Sequence, residues 1–511
     1  MDGPAQAALD LPITRLNIHP FAPDGAPPPD TPDWARSYDH PYLHGVFAPT
    51  AREYAADDLE VEGELPADLH GAYVMNGPSQ RFAPANRYHY YDGDAMLRAI
   101  YFQGGRASFR QAWIRNEAFV VEDMAGRSIW PGLAGPYDFR LPGSPIKDTS
   151  NTDVIFYAGR LLSLWYMAGT PYDIDPLTLA TRGREGLGGG LKHTLSAHSK
   201  VDPQTGELFF FSYGDEAPYL RYGVGDACGR LVLDIPIDVP GPRSPHDLGL
   251  TRNHAILHDL PFFHDVDILR AHSRRVMGFH RDMPARFGVI PRHGPAEAIR
   301  WFEAEPCYIL HVVNCWEDGD WIHQVGCRQA DPAYKRDAKD GPLASMLAQR
   351  RRTHVLYKWS FNLVTGEVRE GPLDDLNTEF PKVNGDYLGR PNRYAFNQVL
   401  PLPRDGGISG QCQTFDGLVR YDLETGAAQR WDYGEGVYGA ETPVAPRRGG
   451  HGEELDAYAV TFTTDTRDWS SRCLVFDAAD IARGPIARVK IPHRISAGFH
   501  ATWIPGEQLW G

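Results

Sequence analysis

Cysteine is scarce in this chain: six residues in 511 (Cys228, Cys307, Cys315, Cys327, Cys412 and Cys473), with no CxxC pair and no framework spacing. That argues against a disulfide-stapled scaffold or a thiolate zinc site and leaves buried free thiols. Runs of positive charge are absent too, and 51 basic against 66 acidic residues give a net charge of −15. A nucleic-acid or anionic-membrane partner held by electrostatics is excluded on that ground. No stretch reaches the roughly 20 apolar residues of a membrane-spanning helix. The opening Met1-Asp2-Gly3-Pro4-Ala5-Gln6 has neither the basic nor the apolar portion of a secretory signal, so a cytoplasmic location is expected, with peripheral membrane contact left open. Familiar catalytic motifs are missing as well. His254 and His258 stand four apart without the Glu of a zinc-binding HExxH helix and read as strand residues; Gly186–Gly190 lacks the Lys-Ser/Thr of a phosphate loop.

What is present suits short strands joined by turns: 42% hydrophobic and 12% aromatic residues, with 52 Gly and 42 Pro. Residues 1–40 are rich in Pro and Asp and read as an extended strap. No comparable linker follows Pro41, so 41–511 is expected to be one domain. Asp202-Pro203-Gln204-Thr205-Gly206, Asn362–Gly366 and Asp422–Gly426 punctuate alternating apolar runs. In each, Asp or Asn caps the turn and Gly supplies its positive φ. Irregular repetition of such hairpins predicts an all-β propeller. Helical patterns are few; 338–351 is the best, with a short segment near 264–275.

Four histidines in strand-like settings are the strongest chemical signal: His198 in Ser-Ala-His-Ser-Lys, His246 in Ser-Pro-His-Asp, His311 in Ile-Leu-His-Val-Val-Asn and His500 in Gly-Phe-His-Ala. Ligands this far apart meet only where a chain keeps returning to one axis, as the inner strands of a propeller do. An all-imidazole site suits a divalent transition metal and leaves positions free for substrate or dioxygen. Most of the 20 histidines must be ordinary core or surface residues, and His40 and His44, flanking a Pro-Tyr-Leu turn, read as surface. Glu379 and Glu441 open strand-like segments. They read either as surface carboxylates or as partners that fix a ligating imidazole's tautomer.

Together these segments resemble the carotenoid cleavage oxygenase family, which includes carotenoid, apocarotenoid and lignostilbene dioxygenases. The resemblance runs from Pro41-Tyr42-Leu43-His44-Gly45 through Asn76-Gly77-Pro78, His89–Leu97, Ser150-Asn151-Thr152-Asp153 and Glu379-Phe380-Pro381 to Gly498-Phe499-His500. It implies a seven-bladed propeller with a loop and short-helix cap. One ferrous iron per chain is implied on His198, His246, His311 and His500, with dioxygen as co-substrate. Glu379 and Glu441 are implied behind His311 and His500, and Thr152 as the small residue narrowing the open side. The family's usual third glutamate is missing; Tyr166 or Met167 takes its place, neither a carboxylate, which leaves a Tyr166 hydroxyl, a water or a carbonyl to orient His246. The implied reaction splits a C=C bond of a carotenoid or apocarotenoid into two carbonyls. Phe262 and Phe263 are candidates for an apolar entrance. A phenolic stilbene or propenylphenol is the alternative substrate, with Lys147 as its phenolate grip. A metal-free scaffold is the alternative from another class.

Overall fold

The structure, a computed structural model, describes residues 27–510 apart from 39, 142–143, most of 334–351 and 401–413. The helix expected over 338–351, Cys412 and all but the end of the 1–40 strap therefore lie outside the described residues.

Strand patterning follows burial. Arg106–Trp113 alternates exposed and buried positions, as a strand with one wet face must. Leu208–Tyr213 is apolar almost throughout because both faces are covered. The predicted turns form as their residues dictate. Asp202 Oδ1 accepts from the Gln204 and Thr205 N–H groups at 2.6 and 3.3 Å, and Gly206 takes φ +70°. Asn362 and Asp422 do the same ahead of Gly366 and Gly426.

The strands group into seven antiparallel sheets around one axis, a seven-bladed propeller. In chain order the innermost strands are Asp153–Tyr157, Lys200–Val201, Gly249–Leu250, Tyr308–Asp318, Thr378–Lys382, Val444–Pro446 and Ala501–Pro505. The chain's two ends close the ring. Ala501–Pro505 pairs with Gly71–Met75, and Val61–Gly63 pairs with Ala487–Ile491. Neighbouring blades bury apolar layers between them; Phe287, Phe302, Trp359 and Phe361 form one of these.

A cap is inserted between two strands of a single blade, His254–Asp259 and Ala285–Pro291. Its hairpin Phe262–His264/Met277–Phe279 carries the helix Val266–His272. Asp265 caps that helix, accepting from the N–H groups of Asp267 and Ile268 at 2.8 and 3.0 Å. Among the described residues no helix is long and apolar enough to cross a membrane.

Candidate metal centre

Each blade brings one polar residue to the axis at or near the start of its innermost strand: Thr152, His198, His246, His311, Glu379, Glu441 and His500. The four imidazoles converge, with ring centroids 4.5–5.1 Å apart for five of the pairs. His198, His311 and His500 each offer a nitrogen within 4.8 Å of the others. His246 Nε2 lies 3.2 Å from His198 Nε2. Nitrogens about 2.1 Å from one ion stand roughly 3–4 Å apart, so the group of His198, His311 and His500 is compatible with a single divalent metal, with His246 adjoining it through His198. His311 Nε2 is buried without a hydrogen-bond partner, as a ligand atom would be.

Local backbone devices aim the rings. His198 sits in the left-handed region at φ +65°, a strain of about 1–2 kcal/mol for a residue with a Cβ. Asp153 holds it there: Oδ2 accepts the His198 backbone N–H at 3.1 Å and lies 3.4 Å from its Nδ1. In Tyr308–Asp318 the pairing register shifts on either side of Val312. Such a bulge turns the neighbouring His311 side chain towards the axis.

Carboxylates stand behind three of the four imidazoles. Glu379 pairs with His311 Nδ1, and Glu441 Oε1 lies 3.0 Å from His500 Nδ1. Asp153 does the same for His198. Burial and then the neighbouring imidazoles push His246 well below its ordinary range; burial and then His500 lower His198 to about 4. Burial also opposes charge on His311, but Glu379 outweighs it and raises that pKa. Asp247 stitches the floor together, pairing with Lys200 at 2.7 Å and accepting the Val312 N–H at 2.8 Å. Four buried carboxylates (Asp153, Asp247, Glu379, Glu441) thus face two partly buried ammonium groups, Lys200 and Lys382.

Above the histidines lies a cavity of about 550 Å³ lined by Thr152, Tyr166, Phe262, Tyr308, Phe380 and Phe499, among others. Several expectations need correcting against it. Tyr166 does not hold His246: their ring centroids are 6.1 Å apart, and the Tyr166 backbone N–H donates to Thr152 Oγ1 at 3.2 Å. Met167 accepts from Arg275 instead, at 3.3 Å. His246 has no carboxylate partner among the described residues. Lys147 does not reach the cavity. Its ammonium is buried between Asp94 and Glu122 (2.6 Å to the latter) because both carboxylates fold over it. Phe262 lines the cavity, whereas Phe263 stacks on His280 with centroids 4.2 Å apart. His40 is half-buried and forms part of the wall. The residue sequence reasoning missed is Asp153; its only signal was an acid directly after Thr152.

A closed seven-bladed propeller with imidazoles converging on its axis and carboxylates behind them defines the class: a propeller with a candidate histidine-ligated metal centre. The family described as retinal pigment epithelial membrane protein matches residues 47–505. The chain belongs to that family, the carotenoid cleavage oxygenases, and is an oxygenase. It is 32% identical over 507 residues to carotenoid 9,10(9',10')-cleavage dioxygenase 1 of Phaseolus vulgaris, spanning 93% of this chain and 91% of the relative. Isoeugenol monooxygenase of Pseudomonas nitroreducens is 30% identical over 478 residues, spanning 91% and 98%. The crystal structure of Pseudomonas brassicacearum lignostilbene dioxygenase superposes with a TM-score of 0.81 at 29% identity, covering 92% of this chain and 99% of that one.

Proposed function

We propose that this protein is a non-haem ferrous dioxygenase that cleaves one C=C bond of a carotenoid or apocarotenoid into two carbonyl products. The observation that carries the reading is a three-imidazole group, His198, His311 and His500, with His246 beside it, at the floor of an aromatic-walled cavity. When bound, iron supplies a redox-active centre with open positions for dioxygen. His198, His246, His311 and His500 would hold it. Asp153, Glu379 and Glu441 keep three of those rings in the tautomer whose Nε2 lone pair points inward. Phe380 stacks on His500 with centroids 4.6 Å apart, and with Phe499 it keeps water from the reacting bond. Thr152 limits the space beside the centre, its hydroxyl fixed by the Tyr166 N–H. No side chain is needed as nucleophile or general base, because both oxygen atoms come from O2 and no proton is gained or lost.

The test is iron-loaded protein incubated with β-apo-8'-carotenal and, separately, a 4-hydroxystilbene under 18O2. Two aldehydes, each carrying label, are expected from the apocarotenoid. Stoichiometric iron with no cleavage of either compound would overturn the reading. Cleavage of the stilbene alone would favour the phenolic alternative, for which the tyrosines Tyr88 and Tyr91 of the cavity wall speak. Failure to bind iron would favour a metal-free scaffold.

A further inference from the structure

Five arginines (Arg87, Arg274, Arg275, Arg336 and Arg352) line the cavity, and no aspartate or glutamate does so among the described residues. In a chain of net charge −15 this is a local reversal of sign. Arg275, partly buried, is built into the wall. Its Nε donates to His264 Nδ1 at 3.1 Å, Nη1 to Met167 Sδ at 3.3 Å and Nη2 to Ser244 Oγ at 3.2 Å. His264 Nε2 lies 2.9 Å from Asp215 Oδ1, and its Nδ1 accepts from the arginine, so the imidazole stands between that acid and the guanidinium. The acid is engaged by the histidine, not by the guanidinium. These three partners of Arg275 are neutral and one is a thioether, a weak acceptor; the Tyr213 hydroxyl, which donates to the Tyr166 carbonyl, is a fourth neutral neighbour. A guanidinium carries five N–H donors in a fixed fork, so one remains for a ligand. Ser244, which Arg275 holds, precedes His246 by two residues, and Arg275 lines the same cavity as His246.

We infer that the alkene taken by this pocket bears a carboxylate, which Arg275 grips while Arg274 and Arg352 add positive potential. This rests on the oxygenase reading above and narrows its substrate to conjugated acids, such as an apocarotenoic acid or a carboxylated stilbene. A hydrocarbon carotenoid would strip water from the guanidinium and return no hydrogen bond, and among oxygen acceptors a carboxylate, being charged, offsets that loss most.

The test measures binding to the iron-loaded protein by tryptophan quenching. The probes are β-apo-8'-carotenoic acid and 4'-hydroxystilbene-4-carboxylate, each beside its methyl ester. At least one acid should bind about tenfold or more tighter than its ester. Arg275→Gln should abolish that gap, and Arg275→Lys should restore part of it. Equal binding of acid and ester in both pairs overturns the inference with the unaltered protein alone. A preference that survives Arg275→Gln in a folded variant overturns it too, by showing that the metal or another group holds the anion. Acid-selective binding without any cleavage supports the carboxylate site and sinks the oxygenase reading. Cleavage of acid and ester with equal KM does the reverse.

Discussion

Replacing Asp153 by Asn should loosen the metal without unfolding the propeller. Asp153 Oδ1 accepts the Val154 N–H at 2.8 Å, while Oδ2 accepts the His198 backbone N–H at 3.1 Å and stands 3.4 Å from its Nδ1. An amide keeps one acceptor oxygen and turns a donor towards the other site, so one buried N–H loses its partner. That costs about 1–3 kcal/mol of local stability. His198 already sits at φ +65°, so without this clamp the residue can relax and its ring leave the axis. Loss of such a partner to a ligating histidine costs about 10–100-fold in metal affinity. Cobalt(II), titrated against a competing chelator and followed by its visible absorption, reads that affinity directly. Asp153→Asn should weaken it by about that factor, with KM for the alkene little changed. A folded variant whose cobalt affinity stays within twofold of the parent would refute the assignment of Asp153 to His198.

Tyr166→Phe should leave metal affinity within about twofold, since His246 takes no hydrogen bond from that hydroxyl; a tenfold loss in the same titration would restore Tyr166 as its partner. Lys147→Met should strand Asp94 and Glu122 in the interior and destabilise by about 3–5 kcal/mol, measured by urea denaturation. An effect below 1 kcal/mol would show the pair solvated. Glu441→Gln should weaken cobalt binding more than Tyr166→Phe does, because it removes the charge facing both His500 and Lys382; equal effects would contradict that ranking. Chelation of the metal should abolish turnover and leave the far-ultraviolet circular dichroism of the sheets intact, because the blades are held by their own apolar layers; loss of that signal would make the metal a folding element.

The propeller was legible because its hairpin turns carry their chemistry locally: Asp202, Asn362 and Asp422 each cap their own turn, whatever the rest of the chain does. The histidines and Glu379 and Glu441 were legible through the order of the segments that hold them. Contacts made by backbone geometry were not. The pairing of Asp153 with His198 depends on a left-handed backbone 45 residues away in sequence, and nothing in Ser-Asn-Thr-Asp announces it. Lys147 looked available because its partners, Asp94 and Glu122, lie 53 and 25 residues earlier. His40 sits beside a turn, a setting that usually means surface, yet the cavity wall recruits it. Arg275 has no legible pattern, because the pair Arg274-Arg275 after a short helix reads as an ordinary exposed turn; only its neutral partners single it out.

X-ray absorption at the iron edge of the loaded protein tests the central claim most directly. The account predicts one iron per chain with four imidazole nitrogens at about 2.1 Å and no sulfur ligand. A shell with fewer imidazoles, a carboxylate from Glu379 or Glu441 bound to the metal, or far less than one iron per chain would contradict it.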